Sequence, residues 1–81
     1  MTFTYVYILQ SEIDPNRFYT GLTKDFRERM KRHNAGGIRH TSKWRPWKLK
    51  TYIAVSDRRR AAELEKHLKS HSGRAFLKKH L

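Results

Sequence analysis

Phe3-Thr4-Tyr5-Val6-Tyr7-Ile8-Leu9-Gln10, followed after a seven-residue interval by Phe18-Tyr19-Thr20-Gly21-Leu22, is the stretch that decides the fold. Both runs are rich in β-branched and aromatic residues, which favour strands. The first is apolar on both faces, with Phe3, Tyr5, Tyr7 and Leu9 on one and Val6 and Ile8 on the other. That pattern predicts a central strand covered above and below. Asp14-Pro15-Asn16 lies between the runs and signals a turn, because proline presets φ while Asp and Asn bond to nearby backbone. The two runs therefore read as a β-hairpin. Its pairing puts Tyr7 and Tyr19, separated by eleven residues, at neighbouring positions of one face. Gly21 ends the second strand, where a β-carbon would block a backbone conformation or a close approach.

Downstream, Thr23 or Asp25 is placed to cap a helix over Phe26–Ala35, in which Phe26 and Met30 form an i,i+4 apolar pair. Gly36-Gly37 stops it. Ile38–Pro46 is a basic loop, and Trp47–Val55 reads as a third strand. There Trp47, Leu49, Ile53 and Val55 share one face, and Lys48, Lys50 and Tyr52 form a wetter one. Ser56 or Asp57 caps a second helix running to about Ser70, with Leu64 and Leu68 as its buried stripe. Ser72-Gly73 should break the chain before a short last helix returns Ala75, Phe76, Leu77 and Leu81 to the core. The expected architecture is α+β, a three-stranded antiparallel sheet flanked by helices in the order ββαβαα, as a single domain over 1–81.

Nineteen Lys and Arg against seven Asp and Glu give a formal charge of +12 on 81 residues. Self-repulsion on that scale favours a polyanionic partner, nucleic acid first and an anionic membrane surface second. The chain has no cysteine, which removes disulfides and thiolate metal sites and suits a reducing cytoplasm. No run approaches the roughly 20 apolar residues of a membrane span. Met1-Thr2-Phe3-Thr4 does not open a signal peptide, so cytoplasmic residence is expected.

Several side chains suit phosphate chemistry. A phenol such as Tyr7 or Tyr19 can hold a water or a phosphate, although tyrosine is an ordinary strand residue. Arg29 and His33, four apart, project from one helix face. A guanidinium forks onto two phosphate oxygens, and histidine suits proton transfer near neutrality. A Mg²⁺ or Mn²⁺ ion needs hard oxygen ligands. Of the seven carboxylates, Glu12 and Asp14 lie in the first turn, Asp25 and Asp57 look like caps, and Glu28 neighbours two arginines. Glu63 and Glu65 remain. His67 and His71 have a zinc-compatible spacing, but no third ligand is evident. Arg39, Lys43 and Arg45 could meet backbone phosphates while Trp44 stacks on an unpaired base. Lys24 and Arg27 on one side, and Lys69 and Arg74 on the other, could extend that basic track.

The triplets Tyr5-Val6-Tyr7 and Tyr19-Thr20-Gly21, at this distance, resemble the paired motifs of the GIY-YIG nuclease superfamily. The resemblance runs in order and spacing over essentially the whole chain, and is closest to the small stand-alone bacterial members. It implies hydrolysis of DNA by water in one step, dependent on a divalent ion. The family's catalytic arginine falls ten residues after the second-motif tyrosine, which selects Arg29. His33 matches a position that is histidine in some members, a general base or a tyrosine-orienting group. The string Glu65-Lys66-His67-Leu68-Lys69 resembles the segment carrying the metal-binding glutamate, which selects Glu65 for one Mg²⁺ or Mn²⁺. By this resemblance Tyr7 and Tyr19 position the water and Arg29 binds the scissile phosphate.

The chain departs from the pattern at Tyr5, where glycine is usual. At Leu22 some repair-type members carry a catalytic lysine, for which Lys24 is a substitute. The C-terminal asparagine of larger members has only Arg74 in its region. The expected function is a DNA endonuclease of low sequence specificity, selective for single-stranded or structured sites, with RNA left open and no protein partner evident. The alternative is a catalytically silent nucleic-acid-binding module on the same fold.

Overall fold

The hairpin closes through its own turn chemistry. The Arg17 amide donates to the Asp14 carbonyl at 2.8 Å and the Asp14 carboxylate accepts from the Asn16 amide at 3.2 Å. The computed structural model describes residues 2–80. It places β1 at Thr4–Ser11, β2 at Phe18–Thr23, α1 at Phe26–Asn34, a 3-10 turn at Ser42–Trp44, β3 at Trp47–Val55, α2 at Arg58–Lys69 and α3 at His71–His80. This is the expected ββαβαα order. The sheet is antiparallel with strand order β2-β1-β3, so β1 is central, as its two apolar faces require.

Each face of β1 builds its own core. Val6 and Ile8 pack with Ala61, Leu68 and Leu77 beneath α2 and α3. Tyr7 and Leu9 pack with Trp47 on the opposite face, joined by Tyr19, Met30, Trp44 and Leu49. Burying side chains of this size is worth roughly 1.5–3 kcal/mol each. Asp25 rather than Thr23 caps α1, accepting from the Glu28 amide at 3.1 Å, and Asp57 caps α2 through the Arg59 and Arg60 amides. Gly36 follows α1 with φ +79°, the left-handed conformation of a helix stop.

Three expectations are corrected or displaced. The apolar residues of β3 do not share one face. Leu49 pairs with Leu9 but Thr51 pairs with Ile8, so Lys50 is an unpaired bulge residue. The extra residue shifts the two-residue period by one. Trp47 and Leu49 therefore face α1, while Ile53 and Val55 lie opposite Val6 and Thr4 on the other side. Tyr52, read as wet, is 46% exposed and also stacks on Phe26 with ring centroids 4.7 Å apart.

The break between the last two helices falls at Ser70, one turn earlier than the Ser72-Gly73 signal. The Ser70 hydroxyl accepts from the Gly73 amide at 3.2 Å, so Ser72 and Gly73 form the first turn of α3. Glycine is needed there for approach. A β-carbon on Gly73 would overlap the His67 carbonyl at the end of α2. Of the last helix's residues assigned to the core from sequence, Leu77 is buried, Ala75 and Phe76 are exposed because they lie on the outer face of α3, and Leu81 lies outside the described residues. Among those residues no helix is long and apolar enough to cross a membrane.

Candidate active site

The site grows from the register of the hairpin. Tyr7 faces Gly21 and Leu9 faces Tyr19, so the two phenols are diagonal neighbours on the α1 side, with ring centroids 6.2 Å apart. Gly21 is required by the Tyr7 side chain, which lies across it. A β-carbon would collide with the phenol oxygen. Tyr7 is 1% exposed and Tyr19 is half-buried.

α1 supplies the groups that meet these rings. His33 is completely buried, its ring 4.8 Å from that of Tyr19. Its Nε2 lies 3.0 Å from the Tyr7 hydroxyl, and its Nδ1 lies 2.8 Å from Oγ1 of Thr41. Burial, then the charges of Arg29, Arg32 and His40, lower the His33 pKa to about 4. The imidazole is therefore neutral at physiological pH. Burial raises the Tyr7 pKa above the ordinary phenol value, and Tyr19 and Glu65 add to the rise. Arg29 opposes it, chiefly through its positive charge, which bears on the phenol. Arg29 is half-buried, and its Nε is buried with no hydrogen-bond partner among the described residues. An unpaired buried donor is costly, and a bound anion would satisfy it.

The two remaining carboxylates separate clearly. The Glu63 side chain is 69% exposed and pairs with exposed Arg59 at 3.7 Å. The Glu65 side chain is 22% exposed, pairs with Lys69 at 3.3 Å and is close enough to Tyr7 for its charge to act there. Among the described residues no three His, Cys, Asp or Glu gather to enclose an ion. Glu65 suits a hard ion that keeps most of its waters and shares the substrate's phosphate oxygens, which is how Mg²⁺ is commonly held. The zinc reading of His67 and His71 does not survive, because α2 ends at Lys69 and α3 begins at His71.

Beside this cluster a groove of about 600 Å³ runs along the free edge of β2. Tyr19 reaches it from the cluster. Phe18, Trp44, Trp47, Leu68 and Leu77 give it apolar walls, Arg17, Lys69, Arg74 and Lys78 bring cations, and His40 also lines it. Tyr7, Arg29, His33 and Glu65 are not among the residues that line it. Of the basic residues read from sequence, Lys69 and Arg74 line the groove, whereas Lys24, Arg27, Arg39, Lys43 and Arg45 are exposed outside it.

The sequence model of the GIY-YIG catalytic domain matches residues 3–79. The chain belongs to the GIY-YIG family. Similar proteins include a structure-specific endonuclease subunit SLX1 of Scheffersomyces stipitis, 43% identical over 54 residues, covering 59% of this chain and 16% of that protein. A structure-specific endonuclease subunit SLX1 homolog of Giardia intestinalis is 35% identical over 52 residues, 60% of this chain and 14% of its own length. The chain thus spans about a sixth of these relatives or less. No solved structure gives a significant match.

Two residues of this GIY-YIG chain escaped the sequence reading. Arg17 sits over the Trp44 ring, its guanidinium carbon 3.5 Å from the ring centroid, and pairs with Asp14 at 3.3 Å. One face of the indole is thus covered by a cation, and both Arg17 and Trp44 line the groove. Thr41 carries no signal in sequence, since a threonine in a loop is commonplace and its partners are distant. Here it is 1% exposed and bonded to His33.

Proposed function

We propose that this domain is a nucleic-acid endonuclease, with DNA as its first substrate, and that Tyr7, Tyr19, Arg29, His33 and Glu65 do the work. The observation that carries the reading is the buried, unpaired Nε of Arg29, together with the charges of Arg29 and Glu65 that both bear on the Tyr7 phenol. Anion-binding donor, water-holding phenol and metal-binding oxygen are what phosphodiester hydrolysis requires.

The pKa directions favour one of the two roles open to His33. Tyr7 is raised and His33 is lowered to about 4, so moving the phenolic proton onto the imidazole is strongly uphill. His33 is the tyrosine-orienting group. It accepts the Tyr7 O–H and leaves the lone pairs of the phenol for Arg29 and the attacking water. Tyr19, half-exposed at the groove, holds the other side of that water. The water oxygen attacks phosphorus as the P–O bond opposite it breaks; one proton of the water passes to solvent and the leaving oxygen takes one from solvent, giving a phosphate monoester and a free hydroxyl. Arg29 bears on the charge that builds on the phosphoryl oxygens. Glu65 would hold one Mg²⁺ or Mn²⁺, which supplies Lewis-acid stabilisation of that charge, and Lys69 turns from the carboxylate toward the backbone of the substrate.

The groove carries the strand to this point, with Arg17, Lys69, Arg74 and Lys78 meeting phosphates. A domain this small makes few base contacts, so its specificity is for shape. The relatives are named structure-specific endonuclease subunits, and that likeness supports structured or partly single-stranded DNA as the substrate to test first.

Labelled single-stranded, duplex and branched DNA and matched RNA, incubated with the protein in Mg²⁺, Mn²⁺ or EDTA, test the reading. Cuts that need the ion and favour branched or single-stranded DNA are expected. Salt-sensitive binding with no cut in any ion would leave a silent binding module instead.

A further inference from the structure

Resting on that assignment of Tyr7, we infer that Thr41 is a positioning residue that fixes the tautomer of His33 and thereby the direction in which Tyr7 points its proton. The Thr41 hydroxyl has one proton, and the Ile38 carbonyl 3.2 Å away can only accept it. Oγ1 then meets Nδ1 of His33, at 2.8 Å, with a lone pair, so Nδ1 carries the imidazole hydrogen. Nε2 is left as an acceptor, and the Tyr7 hydroxyl 3.0 Å from it donates. The chain of donors runs one way, from Tyr7 through His33 and Thr41 to a backbone carbonyl. Arg29 is donor-only, so it agrees with a phenol that offers lone pairs to the site.

Thr41 is itself held. Its carbonyl accepts from Trp47 Nε1 at 2.8 Å, and its amide donates to the Ile38 carbonyl at 3.2 Å. Trp47 Nε1 thus anchors the loop that carries the threonine. The charged and titratable groups around the imidazole are Arg29 and Arg32 from α1, His40 from the loop, Tyr7 from β1 and Tyr19 from β2. None of them offers Nδ1 another acceptor. In the opposite tautomer Nε2–H would donate to the phenol and turn its proton toward the attacking water. The lone pair that holds the water would be lost.

The test combines ¹⁵N NMR of the His33 ring with steady-state kinetics on wild type, Thr41→Val and Thr41→Ser. Wild type and Thr41→Ser should show the hydrogen on Nδ1. Thr41→Val, similar in shape but without an acceptor, should shift the population toward Nε2–H and lower kcat about 10–100-fold with KM little changed, the scale of outer-shell orienting partners. Thr41→Ser should recover most of the rate. A wild-type ring protonated on Nε2, or a Thr41→Val protein that keeps both tautomer and rate, overturns the inference. If Thr41→Val does not fold, the wild-type and Thr41→Ser spectra still decide it. Because the ring spectrum is read without substrate, it separates this inference from the endonuclease reading, whose failure would appear as a wild type that cuts nothing.

Discussion

At the scale of single residues, burial governs the chemistry. His33 has two partners and no solvent, so its protonation opposes the fold. The unfolded chain takes up this proton near pH 6.5, whereas the native ring resists until about 4. Stability from this group is therefore complete above 6.5 and falls as the pH drops toward 4, by up to about 3 kcal/mol. An NMR titration of the ring should find a midpoint near 4, and melting temperatures should decline over the same window. A midpoint at the ordinary histidine value would mean that the ring is hydrated. Tyr7, Tyr19, Arg29 and Glu65 could be proposed from the sequence alone because motif order, spacing and local strings are properties of the chain. Thr41 and Arg17 were not, because the first acts through a hydrogen bond spanning eight residues and the second through a stack on Trp44, 27 residues away.

At the scale of elements, two glycines report on close approach. Gly21→Ala would drive a β-carbon into the Tyr7 phenol. The expected cost is about 1–3 kcal/mol, with cleavage reduced further because the ring must leave His33. Chemical denaturation and the rate together check this, and an alanine protein of unchanged stability and rate would show that the ring does not lie across β2. Gly73→Ala meets the His67 carbonyl, which is backbone and cannot swing aside. It should lower stability by a similar amount while changing kcat less than Gly21→Ala does, because α3 carries none of the five site residues. The element order could be read from Pro15, Gly36-Gly37 and the caps Asp25 and Asp57, which act locally. The Lys50 bulge could not, because alternation in β3 looks regular and only the partner strand reveals the slipped residue. The Ser70 break was hidden for a similar reason. Gly73 looks like a stop, yet it serves the packing of α3 on the end of α2.

At the scale of the molecule, a net charge of +12 makes association with a polyanion steeply dependent on salt. Were Arg17, Arg29, Lys69, Arg74 and Lys78 each to meet a phosphate, log affinity for duplex would fall with log salt at a slope of about −4 to −5. Arg74→Ala and Lys78→Ala should each flatten it by about one. Fluorescence anisotropy across salt concentrations measures both, and unchanged slopes would move the nucleic-acid path away from the β2 edge. Charge alone pointed to a polyanion but not to where it lies. The groove joins residues of β2, the loop before β3, α2 and α3, which only the folded chain brings together.

On the proposed mechanism, groups from β1, β2, α1 and α2 act together on one phosphate. Nicking of supercoiled DNA in Mg²⁺ by wild type, Arg29→Ala and Glu65→Ala, each at a concentration giving equal occupancy by anisotropy, reads this out. Both substitutions should slow nicking by at least about 100-fold while affinity changes only a few-fold. Variants that nick as fast as the parent would contradict that mechanism.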